Sequence, residues 1–84
     1  MRIHVRLFAS LRELLPRDAR GIAELELPDG ASVADVVREL GVEDRLAQMV
    51  LVNGIQVSRR RDVRAGLKLA AGDTVSIFPP VAGG

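Results

Sequence analysis

The chain has 84 residues, no cysteine and a formal net charge of +1, from 12 Lys and Arg residues against 11 Asp and Glu residues. This length fits one domain, and the lack of cysteine excludes disulfides, thiolate metal sites and cysteine nucleophiles. The nearly balanced charge argues against nucleic acid as the main partner. No apolar stretch approaches the roughly 20 residues that cross a bilayer, and the first residues do not resemble a signal peptide. We therefore expect a cytoplasmic protein with no membrane or nucleic-acid partner.

The first segment alternates between apolar and polar residues, which predicts a half-buried strand. Its inward-facing residues are Ile3, Val5 and Leu7, and its outward-facing residues are Arg2, His4, Arg6 and Phe8. A short helix is predicted next, because Ser10 and Glu13 have the spacing of a capping box and Pro16 prevents continuation.

A second strand and a longer helix follow. The inward-facing residues of the strand are Ala23, Leu25 and Leu27, and the turn at 28–30 ends it. Ser32 is the predicted N-cap of the helix, with Asp35 at the third position, and Gly41 is placed to end it in a left-handed conformation. The apolar residues at helical spacing are Val33, Val36, Val37 and Leu40.

The last third contains a hairpin signal and a final strand. Asn53-Gly54 separates two short apolar runs, and residues 74–78 alternate with Val75 and Ile77 inward. The stretch between them, 58–73, is compatible with a small strand, a helical turn or mainly loop. This element order predicts an α+β fold with helices on one face of a single sheet, as in the β-grasp arrangement.

Few residues are suited to side-chain catalysis. His4, the single histidine, lies on the strand face opposite the core and lacks a serine or carboxylate partner at a meaningful spacing. The acidic residues are scattered, so no metal site is predicted, and no glycine pattern resembles a phosphate loop. The arginines at 59–61, with Arg64, are predicted to form a solvated loop, and an acidic docking partner is the alternative.

The two aromatic residues, Phe8 and Phe78, both fall on the strand face opposite the aliphatic core rows. Two interpretations remain open from parity alone. Another element covers the rings, or they form an exposed apolar patch that binds a partner protein, as aromatic anchors commonly do.

The chain after Phe78 reads Pro79-Pro80 and then Val81, Ala82, Gly83 and Gly84. Proline offers no N–H to a neighbouring strand, so the sheet is predicted to end here, with a domain at 1–80 and a flexible tail at 81–84. The tail spans at most about 14 Å. Its small residues allow entry into a narrow channel, where the carboxylate of Gly84 is presented. A carboxylate is a poor electrophile, so activation must come from another protein.

Three stretches resemble the MoaD/ThiS family of ubiquitin-like sulfur carriers: "LFASLRELL", "LPDGASVADVVREL" and "GDTVSIFPPVAGG". The double proline before Gly-Gly is most similar to the small subunit of molybdopterin synthase. The resemblance implies a β-grasp fold with no bound cofactor. It also implies that an E1-like adenylyltransferase uses ATP and magnesium to adenylate Gly84, and that a sulfur donor converts the adenylate into a thiocarboxylate.

By the same resemblance, the tail of Pro79, Pro80, Val81, Ala82 and Gly83 inserts into the large subunit of molybdopterin synthase. There the sulfur passes to cyclic pyranopterin monophosphate during molybdenum cofactor biosynthesis. Phe8 and Phe78 match positions that, in the family, contact both the activating enzyme and the large subunit.

Two departures from the family bear on the pathway. Gln56 stands near a position that is often apolar in the family, and the stretch 58–68 is longer than in many molybdopterin synthase subunits. Carriers for thiazole, cysteine or tRNA thiolation therefore remain alternatives. A protein modifier that forms isopeptide bonds to lysine, and a plain interaction module with an irrelevant tail, are further alternatives.

Overall fold

A computed structural model describes residues 1–80 of the chain, and the predicted tail of Val81, Ala82, Gly83 and Gly84 lies outside the described residues. The described part contains five strands, two α-helices and two short 3-10 helices. The strands are β1 (Arg2–Leu7), β2 (Ile22–Glu26), β3 (Met49–Val52), β4 (Ile55–Val57) and β5 (Thr74–Phe78); the α-helices are α1 (Val33–Glu39) and α2 (Arg61–Gly66); the 3-10 helices are Ala9–Leu14 and Arg17–Ala19.

The five strands form one sheet in the order β2-β1-β5-β3-β4. β1 and β5 are parallel at its centre, and the other neighbouring pairs are antiparallel. The mixed sheet, in which the parallel pair of β1 and β5 has antiparallel neighbours on both sides, confirms the predicted β-grasp architecture. Within residues 1–80, no helix is long and apolar enough to cross a membrane.

The core lies between one face of the sheet and the helices. Each fully buried aliphatic side chain contributes about 1.5–3 kcal/mol relative to an exposed one. The predicted inward rows are confirmed, because they supply most of the side chains that are almost completely inaccessible to solvent. These are Ile3, Val5 and Leu7 of β1, Val33, Val36 and Val37 of α1, and Val75 and Ile77 of β5. Val50 of β3, for which the sequence predicted no direction, is also fully buried.

Helix α1 begins with the predicted capping box. The backbone N–H of Ser32 donates to the Asp35 carboxylate at 2.8 Å, and the N–H of Asp35 donates to Ser32 Oγ at 3.2 Å. The Ser32 N–H lowers the pKa of Asp35 below its ordinary value of 3.8, and a smaller effect of Arg38 acts in the same direction. Gly41 adopts the predicted left-handed conformation just after the helix, with φ 74°.

The other predicted capping box, at Ser10 and Glu13, is wrong. The segment is a 3-10 helix over Ala9–Leu14 without a side-chain cap, and it starts one residue before Ser10. Because Ala9 has φ 52°, the chain reverses sharply at the end of β1, and Ser10 enters the first turn instead of preceding it. The turn brings Leu11 into the core and the helix ends before Pro16, as predicted.

The hairpin predicted at Asn53-Gly54 joins β3 to β4, and both turn residues have positive φ, 52° and 84°. The stretch that the sequence left open contains α2 and a single bridge between Lys68 and Ser32. Helix α2 packs beside α1, so both α-helices lie on the same side of the sheet.

Candidate functional site

The sheet face opposite the helices is open. Its register places Arg6 of β1 beside Ser76 of β5, and Phe78 of β5 beside Met49 of β3. Strand alternation therefore brings the outward residues of three neighbouring strands together at the end where β5 finishes. The face is apolar at this end and charged at the other.

Phe8 and Phe78 meet at the apolar end. Their rings are stacked, with centroids 4.1 Å apart and planes 8° from parallel. Both side chains stay half-buried, which answers the question left by parity: the rings cover each other in part, and neither is enclosed. We call the group of Phe8, Phe78, Met49 and Leu51, all half-buried on this face, the aromatic patch.

The backbone holds the aromatic patch in place. The N–H of Phe8 donates to the carbonyl oxygen of Ile77 at 3.2 Å, and the N–H of Gln48 donates to that of Phe78 at 3.0 Å. The Arg6 guanidinium lies 5.4 Å from the centroid of the Phe8 ring, within cation–π range. The patch is therefore an apolar surface whose backbone is hydrogen-bonded on both sides, with a cation at its edge.

Strand β5 ends at Phe78, as predicted from the following prolines. Pro79 is half-buried and Pro80 is exposed, so the described chain leaves the sheet directly beside the aromatic patch. The proposed reactive residue Gly84, and Val81, Ala82 and Gly83, lie outside the described residues. Gln56, on β4, is exposed and lies opposite Leu51, so the patch ends at β3.

The charged end of the face is occupied by ion pairs. Arg2 Nε lies 2.7 Å from Glu26 Oε1, and this contact raises the pKa of the guanidinium. His4 Nδ1 lies 3.5 Å from Glu24 Oε1, and all four side chains are exposed. In the described range, no group of three or more metal-ligating side chains is present.

Two parts of the molecule escaped prediction from the sequence. Met49 and Leu51 belong to the run 49–52, which is apolar at every position, so alternation cannot tell which residues face outward. Only the register with β5 decides it. The prediction that Arg64 lies in a solvated loop is wrong, because Arg64 is buried in α2. A helix of six residues is too short for the spacing of its residues to show which side is buried.

The family model of the ThiS family matches residues 5–84. The chain belongs to the ThiS family. It is 34% identical, over 97 aligned positions and the full length of both chains, to small archaeal modifier protein 3 of Haloferax volcanii. The family predicted from the resemblance in the sequence, one of ubiquitin-like sulfur carriers and modifiers, is thereby confirmed.

Solved structures of other proteins share the fold of this ThiS family member. The crystal structure of SAMP1 from Haloferax volcanii superimposes with a TM-score of 0.72 at 25% identity, over all of both chains. A putative molybdopterin converting factor, subunit 1, from Pyrococcus furiosus gives 0.67 at 27% identity, covering 96% of this chain and 99% of the other. The predicted β-grasp fold is thereby confirmed.

Proposed function

We propose that this protein is a sulfur carrier whose reactive group is the carboxylate of Gly84. The main observation is the position of the aromatic patch, which lies where β5 ends and the chain passes into Pro79-Pro80. A partner that binds the patch therefore also meets the chain that follows Phe78, next to its docking surface. The family match supports the proposal, since it extends to Gly84.

The chemistry divides between the carrier and its partners. An E1-like adenylyltransferase joins the carboxylate oxygen of Gly84 to the α-phosphate of ATP, with magnesium balancing charge, and pyrophosphate leaves. A persulfide donor then attacks the acyl carbon with its terminal sulfur and displaces AMP. A thiol cleaves the resulting acyl disulfide, so that the terminus becomes a thiocarboxylate and the donor leaves as a disulfide with that thiol. The carrier contributes docking and delivery, so it needs no side-chain base, and the absence of cysteine removes a thiol that could attack the adenylate.

As the recipient we propose the large subunit of a molybdopterin synthase. The tail from Pro79 to Gly83 enters its active site, and the sulfur passes to cyclic pyranopterin monophosphate. Support comes from the Pyrococcus furiosus relative, whose name is that of a molybdopterin converting factor subunit. The double proline before Gly-Gly in this chain favours the same assignment.

A protein modifier is the second candidate, and it is favoured by the relatives named small archaeal modifier proteins. It shares the adenylation of Gly84 and docking through the aromatic patch. It differs in the final nucleophile, because a lysine amine attacks the acyl carbon and forms an isopeptide bond. Thiazole, cysteine and tRNA thiolation use the same thiocarboxylate with other acceptors.

Affinity purification of the tagged chain separates these candidates. The molybdopterin assignment predicts a non-covalent complex with a pterin-binding large subunit, lost when Phe8 and Phe78 are both changed to Ala. A modifier predicts conjugates that survive reducing gels and disappear when Gly84 is deleted. Recovery of only such conjugates, or of a thiazole or cysteine synthase, would overturn the molybdopterin assignment.

A further inference from the structure

A cleft of about 660 Å³ lies between α1 and α2, on the opposite side of the molecule from the aromatic patch. Val37, Val42 and Ala65 form part of its walls, and the two valines also belong to the core. The volume falls within the usual range for small-molecule sites, about 300–1,000 Å³. The cleft is independent of the surface that the proposed function uses.

Arginines dominate the lining. Five of them, against one aspartate, give a formal charge of +4: Arg38, Arg45, Arg59, Arg61 and Arg64, with Asp44. Outside the lining, Asp35 pairs with Arg38, and Glu43 lies 2.7 Å from Arg45. Arg61 is 3.5 Å from Asp44.

Two arginines of the cleft lack a carboxylate. Within the part of the chain that the structure describes, neither Arg59 nor Arg64 has an acidic group within 4 Å. Three of the five arginines thus have an acidic partner. The two that remain, Arg59 and Arg64, form no ion pair with a side chain of the described range.

Arg64 is the feature that points to a ligand. Its side chain is almost completely buried, with 7% of the residue exposed. Nε donates to the carbonyl oxygen of Ser58 at 3.3 Å, and Nη2 is buried without an acceptor. Burial, followed by repulsion from Arg59, lowers the pKa of Arg64, whereas Asp44 raises it. A buried donor without an acceptor is unfavourable, and more so when it is charged, so an acceptor at this position would stabilise the site.

We propose that the cleft between α1 and α2 binds a small ligand through its phosphate group, with Arg64 at the base and Arg59 at the rim. Phosphate matches the lining because its oxygens accept several hydrogen bonds at once and the planar guanidinium donates them in pairs. No aromatic side chain of the described range lines the cleft, so it offers no ring on which a ligand ring could stack. The phosphate group is therefore the part of the ligand that the cleft recognises. The apolar walls accept a short aliphatic portion.

The test is a titration of the ¹⁵N-labelled full-length chain, followed by amide chemical shifts, at constant ionic strength. Pyrophosphate and glycerol 3-phosphate serve as probes, and sodium chloride is the reference. We expect saturable shifts confined to residues 37–45 and 58–66. Arg59→Gln is expected to weaken binding about tenfold, the loss of one charge-assisted hydrogen bond.

Arg17→Gln is the matched control, since Arg17 lines a separate shallow hollow with Arg12 and Arg20 and should leave the affinity unchanged. Arg64→Lys keeps the charge, removes the planar fork and is expected to weaken binding by at least as much as Arg59→Gln. If Arg64→Lys does not fold, Arg59→Gln and Arg61→Gln test the site instead, and both are expected to weaken binding.

Shifts that do not saturate, or equal effects of Arg59→Gln and Arg17→Gln, would overturn the proposal. Tighter binding of a hexaglutamate peptide than of pyrophosphate at the same residues would also overturn it, because the cleft would then be a docking site for an acidic protein segment. Phe78→Ala should leave the titration unchanged, which separates this site from the aromatic patch.

Discussion

The rings of Phe8 and Phe78 stack on each other where β5 ends. Both stay half-exposed on an uncovered sheet face, so folding leaves part of their apolar surface available to a partner. Phe8 is fixed by a backbone bond to β5, and Phe78 by one from Gln48. Because the rings already stack on each other in the free protein, we expect a partner that buries them to lose little side-chain entropy. Rigid aromatic anchors of this kind often dominate binding energies.

Changing Phe78 to Ala should separate binding from stability. We expect the affinity for the activating enzyme to fall by about 2 kcal/mol or more, roughly 30-fold, because a central aromatic anchor is lost. The free energy of unfolding should fall by only about 1–2 kcal/mol, since the ring is half-exposed in the free protein. Titration calorimetry and urea unfolding measure the two quantities.

Ile55→Ala is the control for this pair of measurements, because Ile55 is 72% exposed and lies on β4, away from the aromatic patch. It should leave the affinity unchanged. An equal loss of affinity for both variants would show that the patch is not the docking surface.

Asp35 makes the stability of the fold depend on pH. The pKa of Asp35 in the folded state is below 3.8. The ionised carboxylate therefore stabilises the fold above that value, and this stabilisation is lost as the pH falls through the folded-state pKa. We therefore expect Asp35→Asn to be less stable than the parent at neutral pH, with the difference shrinking below about pH 3.8. Urea midpoints at a series of pH values test this.

The control is Asp18→Asn, because the exposed Asp18 carboxylate has no hydrogen bond to any other residue in 1–80. Its difference from the parent should be small at neutral pH. If the gap between Asp35→Asn and the parent stayed constant down to pH 2, the capping box would not be the source of the pH dependence.

At the scale of elements, the connection between β1 and β2 depends on Gly21, which lies against the end of β1. Gly21 is buried with φ 76°, and its carbonyl oxygen accepts the N–H of Leu7 at 2.7 Å. A Cβ at this position would overlap the carbonyl oxygen of Leu7 and approach Arg12. Glycine is therefore required here by both conformation and space.

Gly21→Ala should cost more stability than Gly30→Ala. Gly30 also has positive φ, 86°, but a Cβ there meets no atom within 4 Å, so only the backbone strain of about 1–2 kcal/mol applies. The overlap with Leu7 adds to that cost at Gly21. Chemical denaturation of both variants measures the difference, and equal losses would contradict the role of the close contact.

Elements with strong local signals could be predicted from the sequence. Helix α1 has a capping residue, apolar spacing and a terminal glycine, and the hairpin has Asn53-Gly54, so each is specified within a few residues. The 3-10 helix at Ala9–Leu14 depends on a positive φ at Ala9, which sequence does not indicate. Helix α2 has six residues and no side-chain cap, and it depends on packing beside α1.

For the whole molecule, the order of the strands required information beyond local pattern. The parallel pairing of β1 with β5 joins residues about seventy positions apart, and no periodicity encodes it. That pairing places Phe8 beside Phe78 and so creates the aromatic patch. Strand parity alone could say only that both rings faced the same side.

Removing Gly83 and Gly84 should abolish function with little effect on the fold. The core of residues 1–80 contains every buried apolar side chain described above, so the urea midpoint should not change. The activity of the proposed synthase, reconstituted with the large subunit, should be lost. A large fall in stability would show that the deletion acts through the fold, and full activity would favour a plain interaction module.

Intact-mass spectrometry can show whether the carboxylate of Gly84 is the reactive group. The chain is incubated with an E1-like enzyme, ATP, magnesium, a persulfide donor and a thiol reductant under conditions that activate a known carrier. We predict a mass increase equal to the exchange of one oxygen for one sulfur, located at Gly84 and absent without ATP. An unchanged mass under those conditions would contradict the sulfur-carrier function.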